Sequence, residues 1–422
     1  MRLLFLSQWY PPEPEIKIHL LGKDLVARGH AVTAITGFPN YPSGKLYPGY
    51  RVRWRQWEQR DGVQILRLPL YPDHSRSRLK RVLNYLSFAA SASVLGPALC
   101  GSADVMWVYH PPLTIGIPSW WIGLLRRVPF VYEIQDMWPE TLAATGMLPS
   151  ARVSTWLSRF AQFIYSRAAA ITVISPGFKR NLVSKGVPAD KIHVIPNWAD
   201  EEIYHPVPRD EALAAEHGLA GRFNVIYGGN LGAGQALDNV LDAAERLRDL
   251  SQMQFVLIGD GVDTVRLQAE AQARGLENVR FIGRQPAEQM PHFFALADVL
   301  LVHLKRDPLF EITIPGKTIS YLACGRPILS AVAGDAAEVV QRAGAGVACM
   351  PEDPVALSQA VRDLYIMPRA QREALGEAGR HTFLEHYTRR VLVPRYEALL
   401  LQVAQHNKGH APHPIPKENG IL

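Results

Sequence analysis

Phe223-Asn-Val-Ile-Tyr227 runs directly into Gly228-Gly-Asn-Leu-Gly-Ala-Gly234, and the helix-length amphipathic stretch Ala236–Leu250 follows. An apolar run of strand length, a glycine turn and a helical pattern make one βα unit. The turn leaves backbone N–H groups free at the positive end of a helix, a setting suited to a diphosphate. The spacing is G-x-x-G-x-G, not the dinucleotide fingerprint. Glycines that merely let a helix pack close to a strand are the alternative reading.

The same unit recurs on both sides. Downstream, Phe255–Ile258 ends in Gly259-Asp-Gly261 and Val279–Ile282 ends in Gly283, with further strand candidates at Val299–His303, Pro327–Ser330 and Gly346–Cys349. Upstream lie Leu3–Leu6, Val32–Thr36, Val63–Leu68, Val105–Tyr109, Phe130–Ile134 and Ile171–Ile174. Strands apolar on both faces and separated by helices imply parallel sheets covered on both sides. Two such series predict an α/β protein of two Rossmann-like domains whose sheets face a central cleft. Pro196, Pro206 and Pro208 interrupt the pattern near 197–222. The expected organisation is residues 1–200 and 201–388 as the two domains and 389–405 as a helix crossing back to the first. Residues 406–422 are expected to be a disordered tail, where His406, His410 and His413 read as solvated rather than as metal ligands.

Composition narrows the classes. The 422 residues are 48% hydrophobic and 20% charged, enough to bury a large core. Cys100, Cys324 and Cys349 are the cysteines. They show no ligand spacing, so neither a zinc site nor a disulfide framework is indicated, and a reducing compartment fits. The N-terminus reads as a buried strand, not a signal peptide, and no window of ~18–20 uninterrupted apolar residues suggests a transmembrane helix. Residues 1–200 hold 23 Lys+Arg against 12 Asp+Glu, and the rest hold 22 against 27. A basic half joined to an acidic half implies that the first half meets something anionic. No basic-aromatic nucleic-acid motif accompanies that charge, so nucleic acid ranks last.

In Phe310-Glu-Ile-Thr-Ile-Pro-Gly-Lys-Thr-Ile-Ser-Tyr-Leu-Ala-Cys-Gly-Arg-Pro327, a carboxylate precedes a Pro-Gly helix start. Glu311 can accept from sugar hydroxyls. The backbone amides of Ile314 to Lys317, with the Lys317 ammonium, can hold a pyrophosphate and stabilise it as it leaves. An ordinary helix cap with a solvated lysine is the alternative.

Six segments taken together resemble bacterial glycosyltransferase family 4. They are Gly29-His-Ala-Val-Thr33, Gly37-Phe-Pro-Asn-Tyr-Pro42, Asp136-Met-Trp-Pro-Glu140, Ile195-Pro-Asn-Trp-Ala-Asp200, Gly229-Asn-Leu-Gly232 and the 311–327 stretch. The branch that fits is that of capsule, O-antigen and colanic-acid transferases, fucosamine transferases included. The resemblance implies the GT-B fold, a nucleotide-sugar donor held mainly by the second domain, retention at the anomeric carbon and no essential metal or cofactor. It makes Glu311 and Lys317 catalytic. Gly229, Asn230, Gly232, Gln235, Arg284, Thr313, Ile314, Gly316 and Ser320 become donor-binding. Two departures stand out. Asn230 and Gln235 occupy positions where many relatives carry an Arg and a Lys on the donor phosphates. Ser320 stands where relatives place a ribose-binding glutamate, with Glu311 nine residues before it.

In the first half, Asp136 follows the strand Phe130–Ile134, and the resemblance makes it the base for the acceptor hydroxyl. An N-cap role is the alternative. His110, Glu140 and Lys17 are the other acceptor-side candidates, Lys17 because its loop lacks the glycine pair of relatives. Arg76–Leu99 and Trp120–Arg127 combine basic and aromatic or apolar residues in a way that suits an anionic bilayer, or two core helices with solvated ends. The expectation is a retaining transferase at the inner face of the plasma membrane. It would carry a sugar, N-acetylated or deoxyamino, from a UDP donor to a polyprenyl-diphosphate-linked or saccharide acceptor. A nucleotide-sugar epimerase, a non-catalytic partner subunit and a nicotinamide-dependent oxidoreductase are the rival readings.

Overall fold

The computed structural model describes residues 1–14, 16–74, 77–144 and 150–407. Among them the first sheet comprises β1 (Arg2–Leu6), β2 (Ala31–Gly37), β3 (Gln56–Arg60), β4 (Val63–Leu68), β5 (Val105–His110), β6 (Phe130–Ile134), β7 (Ala170–Val173) and β8 (Ile192–Val194). Their order is β3-β4-β2-β1-β5-β6-β7-β8. Only the β3–β4 hairpin at the edge is antiparallel. Every residue of β5 and β6 is buried, as strands covered on both faces require.

The covering helices are α1 (Lys17–Ala27), α2 (Arg78–Leu99), α3 (Gly116–Arg126), α4 (Glu140–Ala144), α5 (Ala151–Arg167) and α6 (Pro176–Ser184). Phe88 of α2, Ile122 of α3, Ile164 of α5 and Phe178 of α6 share one core layer with Leu4, Met106 and Tyr132. Ile18 and Leu21 of α1 pack on the opposite face with Leu3, Phe5 and Trp107.

The second sheet comprises β9 (Phe223–Gly228), β10 (Met253–Ile258), β11 (Val279–Ile282), β12 (Val299–His303), β13 (Ile328–Ala331) and β14 (Gly346–Ala348), in the order β11-β10-β9-β12-β13-β14. Every adjacent pair is parallel. Helices α7 (Glu211–Glu216), α8 (Asp238–Arg246), α9 (Thr264–Ala273), α10 (Met290–Ala295), α11 (Pro308–Glu311), α12 (Gly316–Cys324), α13 (Asp335–Arg342), α14 (Pro354–Ile366) and α15 (Arg369–His386) complete it. This is the GT-B arrangement of two Rossmann-like units.

The chain then returns. In α16 (Arg389–Asn407), Leu392, Tyr396, Leu399 and Leu400 join the core layer of α1 and β1. The guanidinium of Arg389, at the crossing, faces Asp24 of α1 and the linker carboxylates Asp200, Glu201 and Glu202. At the cleft itself, the Gly177 N–H donates to Asp335 Oδ2 at 2.6 Å. Arg180 bonds the other oxygen of that carboxylate.

One expectation needs correction. His406 and Asn407 are helical, not part of a tail, because Val403 and Ala404 are still anchored in the core one turn earlier; His410 and His413 lie outside the described residues. In addition, Leu79–Leu99 of α2 is long and apolar enough, by length and composition, to cross a membrane. After Lys80 and Arg81 at its start, only uncharged residues such as Asn84, Ser87, Ser91 and Ser93 interrupt its apolar run. The inner side of α2 is committed to the first core through Phe88, Ala89 and Ala92.

Candidate functional site

A cavity of about 730 Å³ opens where β9, β10 and β11 end and α12 begins. That is the carboxyl edge of a parallel sheet, where such folds bind ligands. Gly229, Asn230, Arg284, Gly316, Lys317 and Ser320 line it, together with Asp260. Sequence reasoning had placed the first six at the donor; the structure brings them to one pocket.

Lys317 dominates its electrostatics. Its Nζ is shielded from water and has no hydrogen-bond partner. It lies 3.7 Å from the centre of the Tyr227 ring, and this cation–π contact is its visible compensation. Burial pushes the amine down to about 7. Helix α12 starts at Pro315 with no side-chain cap, so its first amides remain available. An uncapped helix start and an unpaired ammonium side by side form an anion site.

The glycine turn is shaped to that lysine. Gly229 has φ +146°, and a Cβ there would sit 2.9 Å from Lys317 Nζ. Gly259, at φ +143°, approaches so closely that a Cβ would lie 1.9 Å from the Gly229 carbonyl oxygen. These two glycines therefore let adjacent loops touch at the pocket floor. Asn230 and Gln235 satisfy each other, Asn230 Nδ2 donating to Gln235 Oε1 at 3.2 Å. Gly232 is buried behind them and, like Gln235, is not part of the pocket wall.

The other donor-side candidates divide. Ser320 Oγ has a 3.4 Å bond to the Gly316 carbonyl and faces the cavity. Thr313 Oγ1 donates to the Leu309 carbonyl at 2.7 Å, and Ile314 is buried in the second core. Glu311 ends the short α11 with an exposed side chain outside the cavity wall. Asp260 is engaged by its own turn, accepting from Gly261 N at 2.8 Å and Thr264 Oγ1 at 3.0 Å.

In the first domain, Asp136 is half-buried beyond β6, and desolvation raises its carboxyl, which suits a proton acceptor. His110 ends β5, wholly buried against Tyr132 and Trp138. Both of its ring nitrogens lack partners, and burial lowers it to about 3, so it is a neutral imidazole. Glu140 is paired with Lys185. Lys17 is drawn inward, bonding Glu133 at 2.5 Å and Asn197 at 2.6 Å, so its charge is spent within the first domain. Among the described residues no cluster of three His, Cys, Asp or Glu could hold a metal.

Several residues escaped sequence reasoning. Tyr204, Met290, Phe294 and Tyr321 supply the apolar wall of the cavity. Tyr321 OH accepts from Gly228 N at 2.8 Å, holding the glycine turn. They are aromatic and apolar residues within helices or the linker, indistinguishable by pattern from core. Glu13 likewise went unassigned: it accepts from Tyr10 N at 3.0 Å and from Asn40 N and Tyr41 N at 2.8 Å, tying two cleft loops together.

Comparison with known proteins bears on this geometry. Residues 14–198 match the family model "Glycosyl transferase 4-like domain", and 210–382 match "Glycosyl transferases group 1". WcaI of Escherichia coli K12, whose name assigns it to colanic acid biosynthesis as a glycosyl transferase, is 29% identical, covering 82% of this chain and 86% of its own. WbjE of Pseudomonas aeruginosa, named a glycosyltransferase, is 28% identical, covering 66% of this chain and 70% of its own. HepE of Anabaena, solved in complex with UDP, superposes with a TM-score of 0.70 at 17% identity, covering 95% of this chain and 100% of its own. With the two models spanning both domains, the chain belongs to the GT-B glycosyltransferases of family 4.

Proposed function

We propose that the enzyme transfers a sugar, with retention, from a uridine diphosphate donor to a lipid-linked or saccharide acceptor in surface polysaccharide biosynthesis, at the inner face of the plasma membrane. The observation that carries this is the water-shielded, unpaired Lys317 ammonium beside the uncapped start of α12. A diphosphate there gains both a charge-assisted hydrogen bond and the helix dipole. The UDP complex of HepE and the polysaccharide relative WcaI support the donor and the pathway class.

In the proposed reaction, the bond between the anomeric carbon and the diphosphate oxygen breaks, and its electron pair leaves with the diphosphate. Lys317 and the α12 amides stabilise that charge. The acceptor oxygen bonds the anomeric carbon on the same face, and its proton passes to Asp136. An N-acetylated or deoxyamino sugar is the preferred cargo. The test is calorimetric binding and donor hydrolysis over a panel of nucleotide sugars; no response to any uridine or guanosine donor would sink the reading.

The mutual bond of Asn230 and Gln235, in place of two cations, favours one second reading: a non-catalytic partner subunit. In that case nucleotide would bind weakly or not at all, and pathway output would survive Lys317→Ala.

A further inference from the structure

We propose that the outer surface of α2, α3 and α5 is a docking face for an anionic phospholipid bilayer. This deepens the lipid-linked acceptor of the proposed function, yet it stands on surface chemistry alone.

The three helices lie side by side on one face of the first sheet, sharing the core layer of Phe88, Ile122 and Ile164. Their outward sides therefore form a continuous surface. On α2, Leu79, Val82, Leu83, Leu86 and Val94 are exposed, Leu79 and Val94 by 79% and 75%. They fall at helical spacing opposite the buried Phe88 and Ala92, so both faces of this helix carry apolar side chains. On α3, Trp121, Leu124 and Leu125 are exposed, and on α5 Val153 and Trp156, the latter by 64%. An apolar patch of this extent, left to water, marks an interaction surface.

Charge selects the occupant. None of the three helices contains an aspartate or glutamate. Lys80, Arg126, Arg127, Arg152 and Arg159 are exposed on them or at their ends. Apolar side chains bordered by cations, with no anion among them, match a headgroup region of net negative charge. The patch is also placed for use. In a parallel βα unit a helix begins at the carboxyl edge of its strand, so the ends of α2 and α5 carrying Leu79, Val153 and Trp156 lie on the cleft side, as does Asp136. An acceptor rising from the bilayer would enter the cleft from that side.

The full chain is sedimented with vesicles of phosphatidylcholine, with and without phosphatidylglycerol. Binding is expected only with phosphatidylglycerol and should fall as salt rises. Leu83→Ser/Trp156→Ser should weaken it about tenfold or more, whereas Val262→Ser, on an exposed residue of the second domain, should not. Arg126→Gln/Arg152→Gln should reduce the preference for phosphatidylglycerol without touching the apolar surface. Failure of the wild type to bind these vesicles, equal binding by Leu83→Ser/Trp156→Ser, or a dimer that this pair dissociates without any vesicle binding would each overturn the proposal. UDP affinity, measured on the same preparations, separates the two readings: its loss would count against the donor site and leave the docking face standing.

Discussion

Lys317 Nζ lies over the Tyr227 ring at 3.7 Å, and the Tyr227 hydroxyl in turn donates to the Asn230 carbonyl at 2.8 Å. The lysine is thus held above the glycine turn by an aromatic face, with no carboxylate to neutralise it. A buried cation without a counter-ion is a cost to the fold and an asset to anion binding.

Those two consequences can be separated by Lys317→Met. The substitution removes the buried charge and keeps much of the volume, so thermal stability should rise while UDP affinity falls about ten- to a hundredfold. The amine sits at about 7 when folded and is an ordinary lysine when unfolded. Its destabilisation is therefore complete below about pH 7 and fades as pH climbs toward the ordinary lysine value. The melting advantage of Lys317→Met should follow that course. An advantage independent of pH would contradict the picture.

Ligand binding should move a proton. At pH 8 the free enzyme holds Lys317 mostly neutral, and a diphosphate beside it restores the charged form. Calorimetry of UDP binding in buffers of different ionisation enthalpy should report proton uptake at pH 8. Near pH 5.5 the lysine is already protonated, and its contribution should vanish.

Gly229→Ala should abolish nucleotide binding with only a modest loss of stability. The new Cβ meets the Lys317 ammonium and imposes a side chain at φ +146°. Titration with UDP reads the first effect and thermal melting the second.

Restoring the missing cations should have the opposite sign. Asn230→Arg/Gln235→Lys breaks one exposed bond of 3.2 Å and puts one charge on the pocket wall and a second on the turn beside it. UDP affinity should rise about tenfold, with a steeper salt dependence than the wild type. No gain would mean that the phosphates lie out of reach of this turn.

Glu13→Gln tests the staple between the cleft loops. The new amide NH₂ can replace only one carboxylate oxygen, and as a donor it opposes either Tyr10 N or the Asn40 and Tyr41 pair. Hydrogen exchange at Asn40 and Tyr41 should accelerate, and stability should drop by about 1–3 kcal/mol. Unchanged exchange would show that the loops hold without it.

The two-sheet architecture was legible because its signal is periodic and repeated. Apolar strands such as Val105–His110 and Phe223–Gly228 are buried throughout, and each is followed by a turn and a helix. The glycine turn after its strand and the Pro-Gly helix start at Lys317 could each be read from local spacing, and the family resemblance joined them at one donor. Distant pairing could not. Lys17 is bound by Glu133 and Asn197, 116 and 180 positions away, and Asn230 by Gln235 across a turn whose shape the glycines leave free. Tyr204, Phe294 and Tyr321 carry no mark distinguishing a pocket wall from a core. The outward apolar side of α2 was obscured for a related reason: with both faces apolar, its pattern does not say which face is covered.

The return of α16 sets an order of events during synthesis. Leu392 to Ala404 pack against Leu3, Phe5 and Ile18, so the unit translated first cannot close its back layer until the last helix has left the ribosome. The unit translated second has all its described strands by residue 348 and can mature while the first still shows bare hydrocarbon to water. A nascent chain stalled before residue 389 should therefore be held by chaperones through its amino-terminal half, and release should come late and all at once.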